Sequence, residues 1–151
     1  MSTRGWFIFK YKGKYYVFYN HADSYPDIPY GLCSRLIEEL KKYNLEQLIE
    51  LIDNFILLIN EDKKYDDYNR DIHYNSIEET LKNPNHEYKI IEEIHKKDIM
   101  IEYKYIINLD EELFTMTNEW HNIQLHFPLF NIPNDWYDFY CKVLEAYQLE
   151  E

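Results

Sequence analysis

The sequence predicts an α+β domain, in which an antiparallel sheet built from N-terminal and C-terminal hairpins packs against several helices. Three observations predict it. Residues 6–19 and 99–127 carry aromatic and β-branched runs broken by turns. Residues 32–82, between them, carry helical spacing and cap signals instead. No repeat or linker divides the 151 residues, so 1–151 reads as one domain. A domain of that size buries about 70% of its unfolded surface, enough for a core without disulfides or metals.

The first hairpin pairs Trp6–Phe9 with Tyr15–Tyr19 across a turn at Lys12-Gly13. A polar, proline-kinked loop follows, Asn20-His21-Ala22-Asp23-Ser24-Tyr25-Pro26. Gly31 then opens a helix of about a dozen residues, with Leu32, Leu36 and Leu40 at i, i+4 spacing. Asn44 and Gln47 form a capping-box pattern ahead of Leu45–Ile59. That segment is apolar on most sides and is expected to be the core helix, covered on more than one face. It contains Glu50 and Asp53 and is too short to span a bilayer.

Asn60–Asp71 reads as a charged loop. Ser76 and Glu79 signal a short helix that stops at Asn83-Pro84. Ile90, Ile91 and Ile94 give residues 87–97 a helical stripe. Strands are expected over Ile99–Asn108, Leu113–Thr117 and Ile123–Phe127, the first two joined by a turn at Leu109–Glu112. The strand at 99–108 is expected in the same sheet as the N-terminal hairpin. A closing helix carries Trp136, Phe139, Tyr140, Val143, Leu144 and Tyr147 as one stripe.

Composition narrows the function classes. Apolar residues make up 46% of the chain and aromatics 18%, with 16 tyrosines, so extensive disorder is excluded. The formal net charge of −12 argues against direct binding of nucleic acid or anionic membrane. It is unevenly placed: Arg4, Lys10, Lys12 and Lys14 give the first 20 residues +4, leaving −16 elsewhere. Hairpin lysines guard a strand edge against pairing. Two cysteines, Cys33 and Cys141, fit a reducing compartment, and with no signal peptide this points to the cytoplasm. Scarce Gly with abundant Tyr, Ile, Asn and Lys is the residue usage of an AT-rich genome such as a virus, which would place the protein in host cytoplasm or virion.

Three segments, TRGWFIFKYKGKYYVFYNHADSYP, IEYKYIINLDEELFTM and FPLFNIPNDW, resemble a family of uncharacterised proteins from giant DNA viruses, fungi and some bacteria. Members open with a Thr-Arg-Gly strand and a Tyr-Asn-His-x-Asp-Ser-Tyr-Pro loop. Where the family loop runs on to Gly-Leu-Gly, this chain places Asp27-Ile28-Pro29-Tyr30 before Gly31-Leu32. The resemblance implies the α+β architecture and marks the loop; it carries no activity.

The loop holds the chemistry-bearing residues. His21 is the candidate general base, with Asp23 orienting it or holding a cation, because positions 21 and 23 of an extended chain share a side. Arg4, Asn20, Ser24 and Tyr25 are the candidate ligand-binding residues, Arg4 for a carboxylate or phosphate. The competing reading is a turn, in which Asn20, Asp23 and Ser24 bond the backbone before Pro26 while His21 fills a gap. Cys33, at a helix start, reads as an activated thiol or as a small buried apolar residue. Ser2 or Thr3 offers a weak N-terminal-nucleophile pattern. Glu92 and His95 sit i, i+3 on the expected helix, and His121 and His126 fall on opposite strand faces. No recognised metal, phosphate or dinucleotide motif occurs, so no metal and no cofactor are expected.

The aromatic hairpin with interleaved lysines superficially suits single-stranded nucleic acid on its one free face, but tyrosine-rich surface suits a protein partner better. The leading function is therefore a binding or interaction module. The alternative is a small hydrolase or transferase built on His21 and Asp23. A third reading is an acidic mimic of nucleic acid that engages a basic protein.

Overall fold

A computed structural model of the chain describes residues 3–61, 70–94 and 101–149. Its elements run β1 (Gly5–Tyr11), β2 (Lys14–Asn20), α1 (Leu32–Leu40), α2 (Leu45–Asn60), α3 (Ile77–Lys82), β3 (Tyr88–Ile91), β4 (Tyr103–Asn108), β5 (Leu113–Asn118), β6 (Ile123–Pro128) and α4 (Trp136–Leu149). The six strands form one sheet in the order β3-β2-β1-β4-β5-β6. This is the expected α+β class, with the N-terminal hairpin and the 103–108 strand in one sheet. Residues 99–100 of that expected strand, and 62–69 of the expected charged loop, lie outside the described residues.

The two halves of the sheet meet along one parallel pair, β1 against β4, with Gly5 opposite Tyr103 and Lys10 opposite Asn108. Every other pair is antiparallel. The parallel seam has a consequence at the turns. It brings the Lys12-Gly13 turn and the Asp110 turn to the same end of the sheet. Lys12 and Gly13 have φ of 51° and 78°, the left-handed pair that a two-residue hairpin turn requires. Their amides donate to the Asp110 carboxylate at 2.7 and 2.9 Å. One carboxylate thus ties the two hairpins together.

All four helices pack on one sheet face. Phe7, Phe9, Phe18, Tyr105, Ile107 and Phe114 supply the strand side of the core, as alternate positions of a pleated strand must. On the helix side, α1 buries six of its nine residues. It is shorter than the expected dozen because the chain turns after Leu40, the Lys42 and Tyr43 amides bonding the Glu39 and Leu40 carbonyls, to reach the Asn44 cap of α2. The α2 capping box forms as expected, with Asn44 and Gln47 exchanging bonds of 2.8 Å. Ser76 caps α3, accepting from the Glu79 amide at 3.0 Å.

Two expectations are corrected. The helix α2 is not covered on several faces: only Leu48, Ile52 and Phe55 are buried, and Leu57 is 63% exposed. A helix resting on one sheet face, with α3 beside it, has its outer side left over whatever its composition. Residues 88–91 form the strand β3 rather than a helix, paired to β2 with Tyr16 opposite Ile90. Tyr, Ile and Ile suit either period over so short a run. The open edge of β2 decides for the strand, because it offers backbone partners that an isolated short helix lacks. Residues 95–97 of the expected helix are outside the described residues.

The reverse face of the hairpin is not free either. Trp6, Ile8 and Val17 are buried there with Ile101, and Ile91, Ile94 and Ile106 pack against them. Lys89 and Lys104 lie over the Trp6 ring, 4.1 and 4.9 Å from its centre. An open aromatic platform for bases is therefore absent from this part of the sheet.

Candidate functional site

The loop after β2 is organised by Asn20, which is 2% exposed. Its Nδ2 donates to the Ala22 carbonyl at 2.7 Å and to Ser24 Oγ at 2.9 Å. Its Oδ1 accepts from the amide of Tyr74 at 2.9 Å, across 54 residues of sequence. Ser24 is fully buried. Its amide bonds the Thr3 carbonyl at 3.3 Å, and its carbonyl accepts from the Tyr105 hydroxyl at 2.7 Å. Burial pushes the Tyr105 phenol well above its usual pKa, which keeps it a donor. Gly5 permits this closeness: a Cβ there would stand 2.6 Å from the Ser24 Cβ. Asn20 and Ser24, expected as ligand-binding residues, thus have their polar groups engaged inside the fold.

His21 and Asp23 are placed differently. Asp23 has φ of 58°, so the chain is not extended there and the same-side argument does not apply. Its side chain is exposed, while its carbonyl accepts from the Leu32 amide at 3.0 Å and leads the chain into α1. His21 is half-buried, and its Nδ1 lies 2.9 Å from the Tyr19 hydroxyl. The His73 ring, on an exposed residue, stands 6.1 Å away. Burial raises the Tyr19 phenol and the charge of the half-buried Arg4 opposes that rise. Tyr25 is 42% exposed and leans on Tyr103 at 6.1 Å.

The other candidates resolve simply. Cys33 is fully buried, and burial drives its thiol pKa well up, opposite to activation. Thr3 is buried, and Ser2 is outside the described residues. Glu92 lies just past β3 and is exposed; His95 is outside the described residues. His121 sits in the turn between β5 and β6, and His126 on β6 bonds Thr115 Oγ1 at 2.7 Å. Among the described residues no group of three His, Cys, Asp or Glu could hold a metal, and no helix is long and apolar enough to cross a membrane.

Two features escaped the sequence reading. Lys104 is 1% exposed on the reverse face, its Nζ 3.4 Å from Glu119, beside a cavity of about 230 Å³. Strand alternation puts Lys104 opposite the core face and so suggests solvent. Only the covering of the reverse face buries it. The second feature is His86, 2% exposed between Phe7 and Phe18, with ring centres 5.5 and 5.7 Å away. Its Nδ1 is 3.1 Å from the Glu87 carbonyl and its Nε2 has no hydrogen-bond partner.

Burial lowers the pKa of His86 below its usual 6.5, although Asp71, Glu87 and the backbone of His73 favour the proton. The unfolded chain therefore takes up the proton first as the pH falls. Stability is complete above about pH 6.5 and is lost as the pH drops through the depressed folded value. His86→Phe should keep the fold, since the Glu87 carbonyl still accepts from Tyr19 at 3.3 Å. Urea unfolding from pH 7 to 5 is expected to show a shallower loss of stability in His86→Phe than in the parent. Identical slopes would remove His86 as the acid-sensitive group.

Compared with family models, with curated proteins and with solved structures, the chain matches none, so the site stands on its own geometry.

Proposed function

We propose that the protein is a cytoplasmic interaction module, and that it belongs with the uncharacterised proteins of giant DNA viruses, fungi and some bacteria that its opening strand and loop resemble. One observation carries the reading. The loop engages Asn20 and Ser24 in its own fold while turning apolar side chains outward: Tyr30 is 82% exposed, Ile28 52% and Tyr25 42%. Trp120, 71% exposed, projects from the β5–β6 turn at the same end of the sheet. Large aromatic side chains left in water are the anchors that protein interfaces favour. Two free cysteines suit the reducing compartment.

The test is partner capture by chemical cross-linking, comparing the parent protein with Ile28→Ser/Tyr30→Ser. The double variant should melt at the same temperature and lose the captured partner. Equal capture by both would remove this surface from the proposal.

The second reading is a small hydrolase or transferase using His21 and Asp23. The bond between His21 and Tyr19, in a half-buried position near Arg4, favours it. In that case a panel of ester, phosphoester and acyl-donor substrates should reveal turnover that His21→Ala abolishes without a change in melting temperature.

A further inference from the structure

We infer that the free edge of β6 is a docking site for an extended segment of a basic protein, added to the sheet as a further strand. The inference rests on the interaction-module reading and names the chemistry of its partner.

The edge is defined by backbone geometry. Among the described residues, β6 is the last strand of the sheet and pairs on one side only, with β5. The Leu129 amide donates to the Glu112 carbonyl at 2.9 Å, and this continues the β5–β6 register by one position. Antiparallel pairs alternate between bonded and non-bonded residues. Phe127, Leu125 and Ile123 therefore face β5 with their amides and carbonyls. Gln124 and His126 point theirs outward, together with the position of Pro128. Proline has no N–H to offer, and at an outward position it removes no bond to β5. The sequence thus agrees with the geometry about which side of β6 is open.

The side chains around this edge do not guard it. The Ile123–Pro128 strand has no charged Lys, Arg, Asp or Glu, whereas edges closed to partners usually carry lysine. Phe139, 49% exposed, packs on Phe127 at 6.3 Å, while Trp120 stands beyond one end of β6 and Phe130, 42% exposed, beyond the other. An added strand would find aromatic contacts along its length.

Charge selects the occupant. Between Lys104 and Lys142 there is no lysine or arginine, and the acids are Asp110, Glu111, Glu112, Glu119, Asp135 and Asp138. These residues sit on the turns before and after β5, in the loop that follows β6, and at the start of α4. A second copy would set the same negative surface against itself, with −12 on each chain. Nucleic acid meets the same repulsion. An extended segment with alternating apolar and basic residues is complementary in hydrogen bonding and in charge.

The experiment uses the whole chain and a labelled peptide of about nine residues alternating Val and Lys, read by fluorescence anisotropy. The Lys peptide should bind, and raising NaCl from about 50 to about 300 mM should weaken it. A Glu-for-Lys peptide should not bind. Methylating alternate peptide amides should weaken binding about tenfold or more, since it removes the bonds to Gln124 and His126. Gln124→Pro, which deletes an outward amide and leaves the β5 ladder intact, should do the same. The methylated peptide needs no protein variant, so the test survives if Gln124→Pro misfolds.

Equal binding of the methylated peptide would show adhesion by charge alone and overturn the inference. So would no binding of the Lys peptide, or sedimentation showing a dimer that Gln124→Pro dissolves, which would assign the edge to a second copy. Failure here, with partner capture still dependent on Ile28 and Tyr30, removes the edge and leaves the module. Loss of both removes the module.

Discussion

Asn20→Ala is expected to destabilise the protein by about 2–4 kcal/mol, seen as a lower urea midpoint with an unchanged slope. The reason is the number of buried partners left behind. The Tyr74 amide loses its acceptor, and the Ala22 carbonyl and Ser24 hydroxyl lose a donor. Each unpaired buried group costs about 1–3 kcal/mol, partly relieved where water enters or the loop relaxes. The Tyr74 backbone is also held by Arg35, whose guanidinium donates to its carbonyl at 3.0 Å, so the segment should loosen rather than detach. Amide exchange at Tyr74 should accelerate in the variant. A change below about 0.5 kcal/mol, the range of neutral surface substitutions, would show that Asn20 does not organise the loop. It would then reopen Asn20 as a ligand-binding residue.

Phe18→Ala is expected to cost about 3–5 kcal/mol, the usual range for emptying a buried phenylalanine site. Phe18 is fully buried, and its ring lies 5.4 Å from Phe7, 5.9 Å from Phe9, 5.2 Å from Phe55 and 6.4 Å from Tyr88. It therefore joins β1, β2, β3 and α2 in one contact. Rings braced from three other elements cannot all close on the void, so most of the cavity should persist. At this chain length the loss corresponds to a fall in Tm of roughly 6–20 °C. Phe18→Leu should lose much less, because it keeps most of the volume. Equal losses for Ala and Leu would point to ring geometry rather than filled space as the source.

The legible parts of this protein are those whose signals are local. The Lys12-Gly13 turn, the Asn44–Gln47 capping box and the Ser76 cap each need only a few neighbouring residues, and each appears where the sequence puts it. The strands expected over 99–108 and 113–117 form over 103–108 and 113–118. The loop after β2 was legible as a turn-former and as a place of interest. Which of its residues would be engaged was not.

By itself, then, the sequence determined the α+β class and the residues that start and stop most elements, because dihedral preference, capping and side-chain period act over one or two turns of chain. The tertiary structure decided the rest. It set β3 as a strand, because the edge of β2 was open to it. It left one side of α2 in solvent, because a single sheet face covers a helix from below only. It joined Asn20 to Tyr74 and Asp110 to Lys12 and Gly13, bonds that span 54 and nearly 100 residues. A side chain's own residue type states that it will seek a hydrogen bond, and only the path of the distant chain states which group it meets.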